Sequence, residues 1–535
     1  MSSQNSFIFI YGPPGSGKSS LGRRLAETLQ RPFVDLDVRI EARAGISIAE
    51  IFETQGEARF RAWEKQLLAE TLAQGEGQET VVALGGGALL DPNNRKQVAA
   101  HGPVLCLNAP LDTLIARLRR TAEERPLLAG DLESRLRALM AQREQHYASF
   151  PLRLETDALS LEAALWRAQT LLGVFRVTGM GAGYDVRVTA GGIDTLGAAL
   201  VARGLRGPVA LVSDSNVGPL YLERAKDSLQ ESGYQVLPFT LPAGEASKNL
   251  ETVRALWDGF LDGSLERGSS VVALGGGVVS DLVGFAAATY MRGVSWVILP
   301  TSLLGMVDAS LGGKTGIDLK RGKNLVGAFH PPRLVLADPH SLGTLPPEEF
   351  SSGMAEVVKH AVIADPELFR ICAQGPEAVW EDLEPLIRRA MAVKIDVIQQ
   401  DPYEGGRREA LNLGHTVGHA VESVSGFRLK HGQAVALGML VEARLAGRLE
   451  LTGGDLVGRL ASTLEKLGLP TRIPRDVPLE GIIPAMWVDK KRARGALRFS
   501  LPARIGEVRV GVELEDQDDL ISVLRHSYEE VADDR

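Results

Sequence analysis

The stretch Gly12-Pro-Pro-Gly15-Ser-Gly17-Lys18-Ser19 follows an apolar run and precedes a helical one. Glycines at 12, 15 and 17 let the backbone curl until its N–H groups face an anion, and the helix start adds its positive end. Lys18 then reaches the β- and γ-phosphates of ATP, and Ser19 ligates Mg2+. A second group places His415 and His419 four apart on one helix face, with His431 after a short loop. Upstream, Glu356 and Lys359 sit on adjacent turns of another helix. One carboxylate and two imidazoles leave an open coordination position, as a catalytic metal site requires. Spacing leaves open which two of the three histidines bind. A third group is basic: Arg292, Lys314, Lys323, Lys394 and Arg408, with Asn324 and Asn412. It suits a substrate that carries phosphate and carboxylate. Asp214 just past a strand suits ribose hydroxyls, and Gly275-Gly276-Gly277 lets backbone N–H groups approach a pyrophosphate.

The elements that must position these groups are those of an α/β protein. Ser6–Tyr11, Thr80–Leu84 and Val104–Leu107 are continuous apolar runs bounded by turn residues, the pattern of buried parallel strands. Leu161–Leu172 reads as a helix ended by Gly173, and the glycine-rich Thr178–Gly183 as a joint. A strand and turn at Tyr184–Gly192 begin a fresh α/β pattern, with further strands at Val209–Ser213, Val271–Leu274, Trp296–Pro300 and Leu334–Ala337; beyond Thr344 the pattern is long and helical. The chain of 535 residues is too long for one ordinary core. Its net charge of −8 gives no field for nucleic acid, and no apolar run approaches the roughly 20 residues that cross a bilayer. The N-terminus lacks a basic-then-apolar leader, and Cys106 and Cys372 are too few and too far apart for a disulfide framework. A cytoplasmic protein that binds neither nucleic acid nor membrane is the expectation.

Residues 5–172 resemble shikimate kinase. The resemblance rests on the phosphate loop, on Asp35-Leu-Asp37, on Phe60-Arg61, on Gly85-Gly86-Gly87, on Arg125-Pro-Leu-Leu and on Arg143 followed by Tyr147. It implies that Asp35 helps organise Mg2+ and that Asp37 holds the acceptor hydroxyls. Arg61 and Arg143 would clamp the acceptor carboxylate, a task for which a bidentate guanidinium suits better than lysine. Gly85, Gly86 and Gly87 would let the ring approach the backbone. Arg125 would meet the transferring phosphoryl group, and Arg120 would stack on adenine.

Residues 184–510 resemble 3-dehydroquinate synthase through Pro242-Ala-Gly-Glu245-x-x-Lys248, Gly-Gly-Gly-x-x-x-Asp281, Gly-Gly-Lys314-Thr-Gly, Gly-Met-Ala-Glu356-x-x-Lys359 and His415-Thr-x-Gly-His419-Ala. The resemblance implies metal ligation by Glu356, His415 and His431, with His419 beside the leaving phosphate. It implies NAD+ held by Asp214, Glu245, Lys248, Gly276, Gly277, Asp281, Thr301 and Ser302. Asp308, Lys314, Asn324, Lys359, Lys394, Arg408 and Asn412 would hold substrate, and Arg292 its phosphate. Lys490 or Lys491 would add a further anion contact. Ser280 departs from the family pattern, standing where glycine is common.

Together the resemblances imply a P-loop kinase domain (1–173), a linker (174–183), a Rossmann-like NAD domain (184–343) and a mainly helical metal domain (344–535). They imply two activities of aromatic biosynthesis: phosphorylation of shikimate, and conversion of 3-deoxy-D-arabino-heptulosonate 7-phosphate to 3-dehydroquinate and phosphate. The cofactors would be ATP, Mg2+, NAD+ and Zn2+, with Co2+ also suited to the nitrogen–oxygen donor set. NAD would be reduced and reoxidised within each turnover, and the synthase half would form a homodimer. Two other readings stay open: a different sugar-phosphate cyclase or polyol dehydrogenase behind the kinase, or one half silent as a catalyst.

Overall fold

A computed structural model describes residues 7–74, 79–123, 132–490, 497–514 and 517–528. The chain divides into two compact units, one of residues 1–176 and 201–204, the other of residues 177–200 and 205–535.

In the first unit β1 (Phe7–Tyr11), β2 (Phe33–Asp35), β3 (Thr80–Ala83), β4 (Val104–Asn108) and β5 (Leu152–Glu155) form one parallel sheet, in the order β2-β3-β1-β4-β5. The alternation along β1 explains its unbroken apolar run. Ile8 and Ile10 pack with Leu21, Leu25 and Leu165 from helices Lys18–Leu29 and Leu161–Leu172. Phe7, Phe9 and Tyr11 point the other way, onto Leu36, Ile40, Phe60 and Leu68. A strand covered on both faces needs no polar side. Helix Leu161–Leu172 runs as the sequence predicts, capped by the Ser160 hydroxyl at its start and by left-handed Gly173 at its end.

A second sheet contains β6 (Val174–Val177), β7 (Tyr184–Val188), β8 (Val209–Asp214), β9 (Val236–Leu241), β10 (Ser270–Gly275), β11 (Ser295–Pro300) and β14 (Leu334–Ala337), in the order β6-β7-β14-β11-β10-β8-β9; all of it except the first three residues of β6 belongs to the second unit. The stretch 174–183, expected to be a joint throughout, therefore begins with an edge strand; its Val-Phe-Arg-Val run favours extended backbone despite the flanking glycines. Between β11 and β14, β12 (Lys314–Leu319) and β13 (Gly322–Phe329) make an antiparallel hairpin. Long helices follow at Pro347–Ala364, Leu383–Gln400, His415–Val424 and His431–Arg448. A second hairpin, β15 (Arg498–Arg504) with β16 (Glu507–Glu513), lies inside the region expected to be helical. Its Phe499 and Leu501 enter the core of that region, while its outer positions are charged.

Candidate active sites

At the end of β1 the phosphate loop takes the curl its glycines permit: Gly12, Gly15 and Gly17 all have positive φ, and a Cβ on Gly12 would collide with the Leu107 carbonyl oxygen. Lys18 opens the helix that follows and donates to the Pro13 carbonyl at 3.0 Å, with Ser19 exposed beside it. Burial pulls the Lys18 ammonium down from its ordinary value, and Asp37 and Asp35 act against that. Asp35 caps helix Leu36–Ala44, its Oδ1 accepting the N–H groups of Asp37 and Val38.

Beyond the loop, three glycines form the floor of an acceptor site. A Cβ on Gly85 would lie 2.7 Å from Asp37 Oδ1, and one on Gly87 2.5 Å from Arg61 Nη2; one on Gly86 would stand 3.1 Å from the Gly12 carbonyl oxygen. Any side chain there would occupy the space between Asp37, Arg61 and the phosphate loop. The Gly86 carbonyl is held by three donors, Tyr147 Oη at 2.8 Å, Tyr11 Oη at 3.1 Å and Arg143 Nη1 at 3.4 Å. Arg61 is fixed by Glu64 at 2.7 Å and by Glu57 at 3.2 Å. Burial pushes Asp37 and Glu64 above the ordinary carboxylate range, with Lys18 opposing it at Asp37 and Arg61 at Glu64. The structure thus brings together Lys18, Asp37, Arg61, Arg143 and the glycine floor. Arg120 is exposed near the end of helix Leu111–Glu123, and Arg125 lies outside the described residues. One turn before Arg120, Arg117 grips Thr156, whose hydroxyl contacts the Ser16 carbonyl of the phosphate loop; nothing in its local sequence singles Arg117 out.

In the second unit the nucleotide-type residues gather where parallel strands end, the crevice in which such sheets bind ligands. Asp214 ends β8 and accepts the N–H groups of Asn216 and Val217. Glu245 and Lys248 follow β9; Gly276 and Gly277 follow β10 and start helix Gly277–Thr289; Thr301 and Ser302 follow β11. A Cβ on Gly276 would lie 3.4 Å from Ser302 Oγ, so the turn stays open to a close approach. Lys248 is buried and reaches Asp281 at 2.6 Å and Asn324 at 2.5 Å. Burial raises Asp281 above its usual range, and Lys248 counters it. The hydroxyl of Ser280 turns back to the Gly276 carbonyl at 3.2 Å, so this departure from glycine leaves the loop face unobstructed.

Three helices then converge through glycines. A Cβ on Gly432 would collide with the Ser352 carbonyl oxygen, and one on Gly418 would meet the Ala434 oxygen at 2.9 Å. That approach sets Glu356, His415 and His431 so that one donor atom from each lies within 4.8 Å of the others. His431 Nε2 is 3.2 Å and His415 Nε2 3.5 Å from Glu356 Oε1. His419 stands beside them, 5.1 Å ring to ring from His415, but outside that donor group. Of the three histidines, His415 and His431 are the two whose ring nitrogens fall in that donor group. The set of two imidazoles and a carboxylate with a side left open fits a catalytic zinc-type ion. Burial would raise Glu356, yet Lys359, His415 and His431 hold its carboxyl well below the ordinary range.

Next to this group Asp308 lies on a single π-helical turn, Gly305–Ala309, a distortion common at functional sites. Lys394 Nζ donates to its carboxylate at 2.6 Å, and Lys359, buried, bridges toward Glu356. His360, fully buried between them, finds no hydrogen-bond partner among the described residues for either ring nitrogen, and burial draws its imidazole down to about 3. Lys314 pairs with Glu404, which also lies 3.5 Å from buried Arg408. Asn412 is exposed on the same short helical turn as Arg408, and Ser500 of the hairpin β15–β16 donates to the Glu409 carbonyl of that turn. Arg292 lies on an exposed turn with φ of 67°. Lys491 lies outside the described residues, as does the side chain of Lys490.

Residues 14–168 match the family model of shikimate kinase. Residues 238–352 and 353–492 match the models of the N-terminal and C-terminal domains of 3-dehydroquinate synthase. The 3-dehydroquinate synthase of a Nostoc species is 45% identical over 342 residues, which cover 62% of this chain and 93% of that protein. The chain belongs to the 3-dehydroquinate synthase family. Its front unit is of the shikimate kinase family. Among solved structures, 2-epi-5-epi-valiolone synthase from Streptomyces hygroscopicus, with NAD+ and Zn2+ bound, is 30% identical with a TM-score of 0.58 over 64% of this chain and 96% of that one. A 2-deoxy-scyllo-inosose synthase complexed with carbaglucose-6-phosphate, NAD+ and Co2+ is 26% identical with a TM-score of 0.61, over 66% of this chain and all of that one.

Within the synthase family frame, Glu404, His360 and Glu422 are parts of the site whose roles sequence reasoning missed, as is Glu64 in the kinase frame. Each is a charged or polar residue on a helix or turn, the kind that ordinarily faces water. Glu422 sits in the His415 motif itself, seven residues on and two helical turns along the same face, and that spacing is the one signal that could have found it.

Proposed function

We propose that the first unit phosphorylates shikimate with Mg-ATP and that the second converts 3-deoxy-D-arabino-heptulosonate 7-phosphate to 3-dehydroquinate and phosphate. The observation that carries the kinase reading is the glycine floor between Asp37 and Arg61, facing the phosphate loop. The floor admits a ring, Arg61 and Arg143 take its carboxylate, and half-buried Asp37 accepts a proton from the attacking hydroxyl. Lys18 neutralises charge on the phosphates, and Ser19 with Asp35 would hold Mg2+.

The observation that carries the synthase reading is the convergence of Glu356, His415 and His431 beside Lys359, Lys394 and Asp308, with the strand-end crevice in the same unit. Glu356, His415 and His431 would hold zinc, with cobalt as its substitute, and the strand-end residues would hold NAD+. Bound there, the pair supplies reversible hydride transfer at a metal-polarised hydroxyl. The chain's own residues do the rest: Lys394 and Lys359 fix Asp308 toward the substrate, and Lys314, Arg408, Asn324 and Asn412 bind its anionic groups. His419, exposed at the rim, and Arg292 would meet the phosphate.

The solved cyclases share the fold, so substrate choice needs its own test. Product analysis with the heptulosonate phosphate, against the same sugar phosphate lacking the carboxylate, separates the readings. Turnover of only the carboxylated sugar supports the synthase; equal turnover of both makes the second unit a different cyclase. No described helix is long and apolar enough to cross a membrane, and Cys106 and Cys372 are free and buried; both fit the cytoplasmic location we propose. A homodimer through the second unit is the state we propose in solution, read by sedimentation.

A further inference from the structure

Helix His415–Val424 carries Glu422 two turns beyond His415, and its side chain is 14% exposed. Its Oε2 lies 3.6 Å from Nδ1 of His431, whose Nε2 is 3.2 Å from Glu356. The His431 ring is thus spanned by two carboxylates, one at each nitrogen. His415 shows the same division with a different partner: its Nδ1 is 3.2 Å from the Leu413 carbonyl and its Nε2 faces Glu356. Behind Glu422, Lys323 Nζ lies 3.6 Å from Oε1 and is placed over the ring of Phe427 at 4.7 Å. Lys323 also reaches toward Glu245 at 3.8 Å.

We propose that Glu422 is a positioning residue for the metal site, its carboxylate drawing the Nδ1–H edge of His431 from 3.6 Å and so orienting the ring, and that Lys323 holds Glu422 in that attitude. This rests on the reading of Glu356, His415 and His431 as the metal ligands. A neutral imidazole carries one N–H, and an acceptor at Nδ1 decides both the tautomer and the direction in which the Nε2 lone pair points. His415 takes that acceptor from its own backbone two residues away. His431 stands at the first position of helix His431–Arg448, and among the described residues its ring nitrogens face the Glu356 and Glu422 carboxylates. A side chain, that of Glu422, supplies the acceptor.

The test is zinc affinity of the full-length protein by competition with a chromogenic chelator, on Glu422→Gln, Lys323→Met and His431→Ala. Glu422→Gln keeps the shape but leaves a weaker, neutral acceptor. It is expected to lose zinc affinity about ten- to a hundredfold, with an altered visible spectrum of the cobalt-loaded protein. Lys323→Met, an exposed change, is expected to lose affinity several-fold in the same direction. Wild-type affinity and cobalt spectrum in Glu422→Gln, with affinity lost in His431→Ala, would overturn the proposal and leave the metal site standing. Wild-type affinity in His431→Ala as well would overturn the metal reading itself.

Discussion

Lys18 donates its ammonium to the Pro13 carbonyl at 3.0 Å, a position from which it can reach a β- or γ-phosphate oxygen. Lys18→Met is therefore expected to cut shikimate phosphorylation by about a hundredfold or more, while phosphate release from the heptulosonate phosphate stays at its wild-type rate. Parallel assays of the two reactions check this, and equal loss of both would count against it. At the metal group, burial works against a charged His431, yet Glu356 and Glu422 raise it to about 9. The metal-free ring thus carries a proton at neutral pH, and its favourable charge is lost as pH rises through about 9. Zinc needs that nitrogen deprotonated, whereas His415, held well below its ordinary value by burial and by Lys359, is already neutral. Zinc uptake should release about one proton at pH 8, and affinity should climb roughly tenfold per pH unit up to about 9. Titration of the metal-free protein in weak buffer measures it; pH-independent uptake would contradict it. Lys18, Glu356, His415 and His431 are legible in the sequence because each belongs to a short motif. The Lys314–Glu404 pairing is not, since the two lie far apart along the chain and only the fold brings them together.

Helices reach the metal group through glycines rather than through large apolar knobs. Gly432 lies against the Ser352 backbone, so an added methyl has nowhere to go and the helices must part. Gly432→Ala is expected to cost about 2 kcal/mol or more of stability and to lower the zinc content of the purified protein. Gly453→Ala, at a position with nothing within 4 Å of the added carbon, should change neither. Thermal denaturation and metal analysis of the two variants decide it; an identical response from both would contradict the packing account. Buried parallel strands are legible because both faces of the sheet are covered, which leaves unbroken apolar runs such as Phe7–Tyr11. The hairpins β12–β13 and β15–β16 are not. β13 and β16 are largely exposed, β15 is buried only through its middle, and the pairing depends on what the hairpins pack against.

On the proposed function, phosphoryl transfer belongs to the first unit and metal-dependent cyclisation to the second, and the residues proposed for the two chemistries do not overlap. The order of the matches along the chain, kinase first and both synthase domains after, agrees with the two compact units. That division is legible from motif order alone, but its boundary is not, because the glycines at 179, 181 and 183 draw attention away from the strand before them. The most direct measurement strips metal from the full-length protein with a chelator, restores Mg2+ for the kinase assay, and scores both reactions side by side. The account predicts that phosphate release from the heptulosonate phosphate disappears, that zinc restores it, and that shikimate phosphorylation continues throughout. Phosphate release that persists without metal, or a kinase activity that falls with it, would contradict the account.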